Sequence, residues 1–153
     1  HAVNFATFGL SGALVLTASR DRTARLWRAE SGECLQSFQG HGGRVHSAAL
    51  AADGSRALTA SADSTARLWD ADSGTCLQVF RGHGDPVFTA VLSPDGAMVL
   101  TASADRTARI WSAETGVCTR ILQGHRSRVL SAAFSPDGAR ALTASDDGTA
   151  RLW

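Results

Sequence analysis

The chain has 153 residues, of which 44% are hydrophobic and 19% are charged, which is the balance of an ordinary globular domain. Fifteen basic and 14 acidic side chains leave a formal net charge of +1. This near-neutral balance argues against a nucleic-acid or membrane-surface binder, because neutralising many phosphates requires a marked excess of positive charge. No apolar run approaches the roughly 20 residues of a membrane span, and we expect no signal peptide. We therefore expect neither nucleic acid nor a membrane among the partners.

The predicted elements are short β-strands separated by turns. The first apolar run is Val3–Phe8, which aligns with Val45–Leu50 in the next part of the chain. In the stretch that begins at Gly82, four runs follow one another: Val87–Leu92, Met98–Ser103, 107–111 and 117–122. The turns between runs carry Pro, Asp and Gly, as in Ser93-Pro94-Asp95-Gly96. Runs of five or six residues without helical periodicity predict an all-β chain.

One pattern recurs along the chain with a period of 42 residues. The landmarks that keep this spacing are Trp27, Trp69, Trp111 and Trp153, and the pairs Gly40-His41, Gly82-His83 and Gly124-His125. An Asp stands six residues before every Trp, and a Thr stands ten residues before it. A four-stranded unit of this size cannot bury both of its faces alone, so neighbouring units must stack. The repeat therefore predicts a β-propeller.

The three cysteines follow the same period. Cys34, Cys76 and Cys118 lie 42 residues apart, whereas metal sites draw on close pairs and disulfide frameworks on an even number. We expect them to be small, buried, apolar side chains in a reducing compartment, which places the protein in the cytoplasm. Neither a metal nor a cofactor is predicted.

These motifs resemble those of the WD40-repeat family over essentially the whole chain. The resemblance rests on the Gly-His pairs, on the Ser-Pro-Asp-Gly turns at 93–96 and 135–138, and on the T-A-S-x-D-x-T-A-R-[LI]-W segment that occurs four times. It implies one propeller domain over residues 1–153, with sequence units that end at Trp27, Trp69, Trp111 and Trp153. We expect three complete four-stranded antiparallel blades and a three-stranded fourth, as an arc of a longer propeller. Association of copies to complete a ring is the alternative.

The resemblance also implies a buried tetrad of His, Thr, Asp and Trp inside each blade. The Trp N–H would donate to the Thr oxygen, the Thr hydroxyl to one His nitrogen, and the other His N–H to the carboxylate. The implied tetrads are His41, Thr59, Asp63 and Trp69; His83, Thr101, Asp105 and Trp111; and His125, Thr143, Asp147 and Trp153. The first unit supplies Thr17, Asp21 and Trp27 without a His.

A His, an Asp and a hydroxyl in one network are also the groups of a hydrolase triad. An active site is needed only once, whereas this constellation recurs from unit to unit, and its hydroxyl is committed to an indole. The sequence contains no nucleophile elbow, no phosphate-cradling loop and no close pair of metal ligands. We therefore expect no catalytic residues and no enzyme activity.

The positions that differ between the copies are the candidates for binding. They follow each Gly-His pair and immediately precede each tetrad Asp, and the resemblance implies that they project onto the top surface of a propeller, where partners dock. The expected partner-binding residues are Arg20, Arg44, His46, Pro86, Phe88, Arg128, Leu130 and Asp146. Among them Arg44, Phe88 and Arg128 are the first choices, because Arg and aromatic side chains are typical interface anchors.

The predicted function is a non-catalytic protein–protein interaction scaffold, whose rigid blades hold short loops against a protein or peptide partner. The alternative is a propeller within a larger signalling or enzymatic protein, where it regulates or recruits substrates. Arg20, Arg44 and Arg128 together would favour an acidic or phosphorylated motif. Arginines that recur in every copy are expected to serve blade structure instead: Arg25, Arg67, Arg109 and Arg151.

Overall fold

A computed structural model describes residues 1–153 of the protein. The chain forms fifteen β-strands and no helix. The strands are β1 (Val3–Phe8), β2 (Leu14–Ser19), β3 (Ala24–Arg28), β4 (Cys34–Phe38), β5 (Val45–Leu50), β6 (Arg56–Ser61), β7 (Ala66–Asp70), β8 (Cys76–Phe80), β9 (Val87–Leu92), β10 (Met98–Ser103), β11 (Ala108–Ser112), β12 (Cys118–Leu122), β13 (Val129–Phe134), β14 (Ala141–Ser145) and β15 (Ala150–Leu152).

Within each sheet, consecutive strands pair antiparallel, and no strand crosses over between sheets. Sheet 1 contains β1–β4, sheet 2 contains β5–β8 and sheet 3 contains β9–β12, whereas sheet 4 contains only β13–β15. Short turns connect the strands of each sheet, which is the connection that antiparallel pairing permits. The expected all-β architecture of three four-stranded sheets and one three-stranded sheet is confirmed.

The strand bounds agree with the predicted runs except at some strand ends. The predicted strand at 107–111 begins instead at Ala108, and the one at 117–122 begins at Cys118. Thr107 stays in the turn because its amide and its hydroxyl both donate to Asp105 Oδ1, at 2.9 and 2.6 Å. A local side-chain hydrogen bond therefore competes with strand pairing at this position.

The four sheets stack face to face in chain order. We call the face of a sheet that contacts the preceding sheet its leading face, and the opposite face its trailing face. Between sheets 1 and 2, Leu16 and Phe38 of the trailing face form one apolar cluster with Val45 and Trp69 of the leading face. Equivalent clusters fill the space between sheets 2 and 3 and between sheets 3 and 4. Alanines stand among the larger side chains in all three clusters, and their small volume allows the sheets to approach closely.

The hydrophobic core is therefore a series of three layers between sheets. The two faces at the ends of the stack are open by comparison. On sheet 1 every residue of β1 except Thr7 is exposed. On sheet 4 the side chains of Leu142 and Leu152 are 50% and 64% exposed. These faces have no neighbouring sheet within the chain.

The expectation that the cysteines are buried was wrong. Cys34 is exposed, and Cys76 and Cys118 are only partly buried, with all three thiols unpaired. Each begins the last strand of its sheet, where burial depends on the preceding sheet. Cys76 packs against the cluster between sheets 1 and 2, and Cys118 against the cluster between sheets 2 and 3. Within residues 1–153 no sheet packs over Cys34, and it is the most exposed of the three.

Candidate functional site

The predicted binding residues all lie at one end of the stack. We call this the upper end; here the first strand of each sheet begins and the second strand ends. One backbone hydrogen bond closes this end in every sheet. It joins the residue before the recurring Asp, six residues before the Trp, to the residue before the Val that begins the first strand. The four bonds are Arg20 N to Ala2 O, Ala62 N to Arg44 O, Ala104 N to Pro86 O, and Asp146 N to Arg128 O, at 2.9 to 3.0 Å.

A β-bulge displaces one residue of the first strand in every sheet. The pairing register shifts between Val45 and Ser47, so His46 has no partner on β6. The same shift leaves Asn4, Phe88 and Leu130 unpaired in the other sheets. A bulge re-aims the side chain of the extra residue. Three of the eight predicted binding residues are therefore bulge residues, a feature that the sequence analysis did not foresee.

His46 and Phe88 meet across the boundary between sheets 2 and 3. Their ring centroids are 5.3 Å apart and their planes are inclined by 68°, an edge-to-face contact. Burial lowers the pKa of His46, and the positive charge of Arg44 adds to this effect. The imidazole is therefore neutral at pH 7, and the two rings form an aromatic patch at the upper end. Pro86, two residues before Phe88 in the sequence, is partly buried.

The charged residues of the upper end are not equivalent. Arg128 pairs with Asp146, whose Oδ2 lies 2.8 Å from Nε and 2.6 Å from Nη2. Arg20 donates through Nε to the neutral amide oxygen of Asn4, at 3.2 Å. Arg44 is exposed and has no carboxylate within 4.0 Å. Arg20 and Arg44 therefore keep positive charge that is not neutralised locally, whereas Arg128 does not.

Below this surface, sheet 2 contains a hydrogen-bonded network that starts at an indole. Trp69 Nε1 donates to Thr59 Oγ1 at 2.9 Å. His41 Nε2 lies 2.8 Å from the same oxygen, and His41 Nδ1 lies 2.8 Å from Asp63 Oδ2. A carboxylate only accepts, so the proton of the neutral imidazole is on Nδ1, and Nε2 accepts from the Thr59 hydroxyl. All four side chains thus have partners.

The carboxylate of Asp63 collects several further donors. Thr65 donates to Oδ1 through its hydroxyl at 2.6 Å, and the amide of Gly42 donates to Oδ2 at 2.9 Å. Burial by itself raises the pKa of Asp63, but the hydrogen bonds from Thr65 and His41 outweigh burial and lower the pKa to about 2. Burial lowers the pKa of His41, although Asp63 acts in the opposite sense. The network therefore holds a charged carboxylate beside a neutral imidazole at pH 7.

Sheets 3 and 4 repeat this geometry. Their indole-to-threonine bonds measure 2.9 Å, their threonine-to-imidazole distances 2.7 and 2.8 Å, and their imidazole-to-carboxylate distances 2.7 and 2.9 Å. In sheet 1, Trp27 Nε1 donates to Thr17 Oγ1 at 2.9 Å and Thr23 donates to Asp21 at 2.6 Å. Arg25 approaches the Asp21 carboxylate at 3.6 Å.

The sequence analysis did not assign two further members of each network. In sheet 2 they are Thr65, which binds Asp63, and Ser61, whose hydroxyl accepts from the Asp63 amide at 3.1 Å and donates to Gly43 O at 3.1 Å. Both residue types recur with the period of 42, at Ser19, Ser61, Ser103 and Ser145 and at Thr23, Thr65, Thr107 and Thr149. The repeat alone was therefore a sufficient signal to find them.

The positive φ at the first residue of each Gly-His pair favours glycine. Gly40 has a φ of +143°, and a Cβ there would lie 2.7 Å from Arg67 Nη1. Arg67 in turn extends over Trp69, with its guanidinium carbon 5.8 Å from the ring centroid. Gly82 and Arg109 repeat this contact. Arg67 and Arg109 therefore pack between the glycine and the indole of their own sheets.

The networks serve the upper end by holding its loops. The residues after Gly40 reach the start of β5 while Asp63 binds the amide of Gly42 and Ala62 binds the carbonyl of Arg44. Arg44 and His46 are thus carried on backbone that is fixed at two points. This arrangement can present side chains to a partner with little loss of conformational entropy on binding.

The His and Thr side chains of the three tetrads are not accessible from solvent. The side chain of each network His is 1% exposed, and the Thr hydroxyl is occupied by the indole. No group of three or more His, Cys, Asp and Glu side chains is placed to hold a metal ion. The structure contains no helix with the length and apolar character that crossing a bilayer requires.

Comparison with known proteins gives two findings. The sequence profile described as "WD domain, G-beta repeat" matches residues 1–28, 32–70, 74–112 and 116–153. The WD repeat-containing protein pop1 of Schizosaccharomyces pombe is 46% identical to this chain over 39 residues. That match covers 26% of this chain and 5% of the yeast protein, so the similarity spans a small part of that relative's length.

Proposed function

Because the chain belongs to the WD40-repeat family, we propose that it is a non-catalytic scaffold that binds a protein or peptide partner at its upper end. WD40 repeats generally mediate protein–protein interactions. The observation that carries the proposal is a contrast within each sheet. The buried network has the same residue types in sheets 2, 3 and 4, whereas the exposed side chains at the upper end differ from sheet to sheet.

The upper end has the composition of a binding surface. Phe88, His46 and Pro86 supply aromatic and apolar area, and Leu130 adds a side chain that is 41% exposed. Aromatic and arginine side chains dominate the energetics of interfaces because they combine large area with few rotatable bonds or with several hydrogen-bond donors. Arg44 lies two residues before the bulged His46, close enough for its charge to lower the pKa of that imidazole.

The charges favour a partner with an acidic or phosphorylated segment. Arg20 and Arg44 lack local carboxylate partners, so a partner anion would gain their attraction without breaking an existing ion pair. Arg128 differs from them because Asp146 already neutralises it. Arg44 is therefore the best candidate for direct contact with an anionic group, since it is exposed and lies nearest in sequence to the aromatic patch.

A non-catalytic role is supported by the repetition and burial of the networks. A catalytic His must reach a reacting atom, yet the network imidazoles have both nitrogens engaged by Thr and Asp. We propose the cytoplasm as the location, since all three thiols are unpaired and lie far apart in sequence.

Partner capture with matched variants tests the proposal. The immobilised chain captures partners from lysate, which mass spectrometry identifies, and binding to the purified partner is then measured. We expect Phe88→Ala to weaken this binding about tenfold or more, because truncating an interface anchor typically costs about 2 kcal/mol. Arg44→Glu should weaken it as well, and the effect should shrink in high salt.

Arg120→Glu is the control for charge, because Arg120 is an exposed arginine on the outermost strand of sheet 3, away from the upper end. The proposal predicts that this variant binds like the wild type. Binding that survives Phe88→Ala and Arg44→Glu unchanged would place the partner elsewhere. Phosphatase treatment of the partner identifies the anion. If it abolishes the effect of Arg44→Glu on binding but leaves the effect of Phe88→Ala, the anion is a phosphate.

A further inference from the structure

Asn4 joins sheet 1 to sheet 2 at the upper end through its side-chain amide. Its Nδ2 donates to the carbonyl of Val45 at 2.8 Å, across the boundary between the two sheets. Its Oδ1 accepts from Arg20 Nε at 3.2 Å. Val45 directly follows Arg44 in the chain. One amide therefore ties the side chain of Arg20 to the backbone that carries Arg44.

The fold of a sheet requires neither Asn4 nor Arg20 at these positions. The equivalent bulges of the other sheets carry three different residue types: His46, Phe88 and Leu130. The position of Arg20 is occupied by Ala62 in sheet 2 and by Ala104 in sheet 3. Because the other sheets pair their strands in the same way without this amide and this guanidinium, the contact between Asn4 and Arg20 is a specialisation of sheet 1.

The contact with Asn4 leaves most of the Arg20 guanidinium available to a ligand. Only Nε is bound, and no carboxylate lies within 4.0 Å of Arg20 or of Arg44. The Nη1 and Nη2 groups of Arg20 form a planar fork that matches two oxygens of a carboxylate or a phosphate. A fork that is held in place before binding loses less conformational entropy when an anion arrives.

From these contacts we propose that Arg20 and Arg44 form one oxyanion-binding subsite at the boundary between sheets 1 and 2, with Asn4 as its positioning residue. The ligand is a carboxylate or a phosphate on the segment of the partner that docks at the upper end. The aromatic patch of His46 and Phe88, at the next boundary, takes an apolar side chain of the same segment. The subsite rests on the proposed function, because it assigns the anionic contact of the upper end to one boundary.

Sheet 4 shows how a carboxylate binds an arginine at this place in a sheet. Arg128 and Asp146 stand two periods after Arg44 and Ala62. Oδ2 of Asp146 lies 2.8 Å from Arg128 Nε and 2.6 Å from Nη2. Ala62 brings no carboxylate to Arg44, so an anion of the partner can occupy the corresponding place in sheet 2.

Titration with inorganic phosphate tests the subsite without a partner. We expect the NMR signals of Asn4, Arg20 and Arg44 to shift together along one saturating curve. A parallel titration with acetate distinguishes the two sources of the oxyanion, because a site for acidic side chains binds both ions and a site for phosphorylated side chains binds phosphate alone. Shifts that do not saturate, or that are equal at Arg120 on the outermost strand of sheet 3, would overturn the proposal.

Two matched substitutions separate the subsite from the net charge of the chain. Ala62→Asp places a carboxylate beside Arg44, in the arrangement of the ion pair in sheet 4. Ala104→Asp adds the same charge to sheet 3, where a proline stands at the position of the arginine. We expect Ala62→Asp to weaken phosphate binding about tenfold, because the new carboxylate competes for charge-assisted hydrogen bonds. Ala104→Asp should have a much smaller effect, and equal effects would contradict a subsite at this boundary.

Asn4→Ala tests positioning separately from charge, because both arginines remain while the bonds to Arg20 and Val45 are lost. We expect phosphate binding about threefold weaker, because the free guanidinium must be ordered on binding. Thr89→Ala is the matched control, since it also removes a hydrogen bond between sheets, from Oγ1 to the carbonyl of Leu130 at 2.9 Å. The control should bind phosphate like the wild type. Unchanged phosphate binding in Asn4→Ala would show that Asn4 does not position the subsite.

The subsite and the proposed function fail in different ways. A partner whose binding depends on Phe88 but is unaffected by Ala62→Asp and Asn4→Ala would refute the subsite and leave the upper end as the binding surface. Saturating phosphate binding at Arg20 and Arg44, with a partner that is unaffected by Phe88→Ala and Arg44→Glu, would refute the proposed function alone.

Discussion

Leu58 and Leu142 occupy the same position in the second strand of their sheets, within the same sequence A-L-T-A-S. Leu58 is fully buried, whereas Leu142 is 50% exposed. The backbone pairing around the two residues is the same, since both face a leucine of the third strand, Leu68 and Leu152. The difference lies in the neighbouring sheet: sheet 3 covers Leu58, whereas none of the other sheets formed by residues 1–153 covers Leu142. Burial in this protein is therefore a property of the stack and not of the sheet.

The pair of leucines gives the largest predicted effect on stability. Leu58→Ala should lower the free energy of unfolding by about 3 kcal/mol, because it removes a buried side chain and leaves a cavity. Leu142→Ala should lower it by less than about 1 kcal/mol, because half of that side chain is already in water. Urea denaturation measures both. Similar losses for the two variants would mean that sheet 4 is covered in solution.

A second comparison concerns two histidines, one inside a hydrogen-bonded network and one outside it. His125→Ala should lower the free energy of unfolding by about 2 kcal/mol, because it removes the imidazole that accepts from the buried Thr143 hydroxyl and one of the donors to the Asp147 carboxylate. His46→Ala serves as the control. His46 is also partly buried, but its Nε2 has no hydrogen-bond partner, so its loss should cost less. An unchanged denaturation midpoint for His125→Ala would contradict the structural role of the network.

Acid should destabilise the protein through the same groups. The pKa of Asp63 is about 2 in the folded chain against an ordinary value of 3.8, so the unfolded chain takes up its proton first as the pH falls. Stability from this carboxylate is complete above about pH 4, and about 2 kcal/mol is lost as the pH falls towards 2. The lowered pKa of His41 adds a loss that begins near pH 6.5, where the unfolded imidazole becomes protonated.

Unfolding measured between pH 7 and pH 2 shows these two steps. In Asp63→Asn the step below pH 4 should become shallower, because the titrating carboxylate is absent. Asp21→Asn is a useful comparison, since hydrogen bonds from Thr23 also lower the pKa of Asp21, but no His joins that network. A pH profile for Asp63→Asn that matches the wild type in shape would show that another group governs acid unfolding.

Much of this architecture could be predicted from residue spacing. Val87–Leu92 and Met98–Ser103 were predicted as strands and are β9 and β10 with the same bounds. The predicted strand begins at Thr107, directly after the turn at 104–106, whereas two hydrogen bonds to Asp105 keep Thr107 out of the strand. The period of 42 residues predicted four sheets, of which the fourth has only three strands. Pattern and turn chemistry are local, which is why they can be recognised in the sequence.

Residue spacing predicted less of the geometry of the candidate site. The spacing aligned Asn4, His46, Phe88 and Leu130, but the bulge that removes each of them from strand pairing depends on backbone geometry. The three arginines of the upper end appeared alike in the sequence. The structure separates Arg128, which Asp146 neutralises, from Arg44, which has no carboxylate partner. Side chains 18 residues apart in sequence make that ion pair, so only the folded chain brings them together.

The sequence by itself determined the repeat, the strands and the residue types that each sheet would place on its two faces, because these follow from turn residues and from alternation along short strands. The cysteines show the limit of such reasoning: three copies of one position were predicted to be buried, and Cys34 is exposed because none of residues 1–153 packs over it as sheet 1 packs over Cys76. Only the tertiary structure decided which copies of an identical face are covered. Burial requires a second surface, and a repeated sequence specifies the same surface in every copy, whether or not a neighbour is present to cover it.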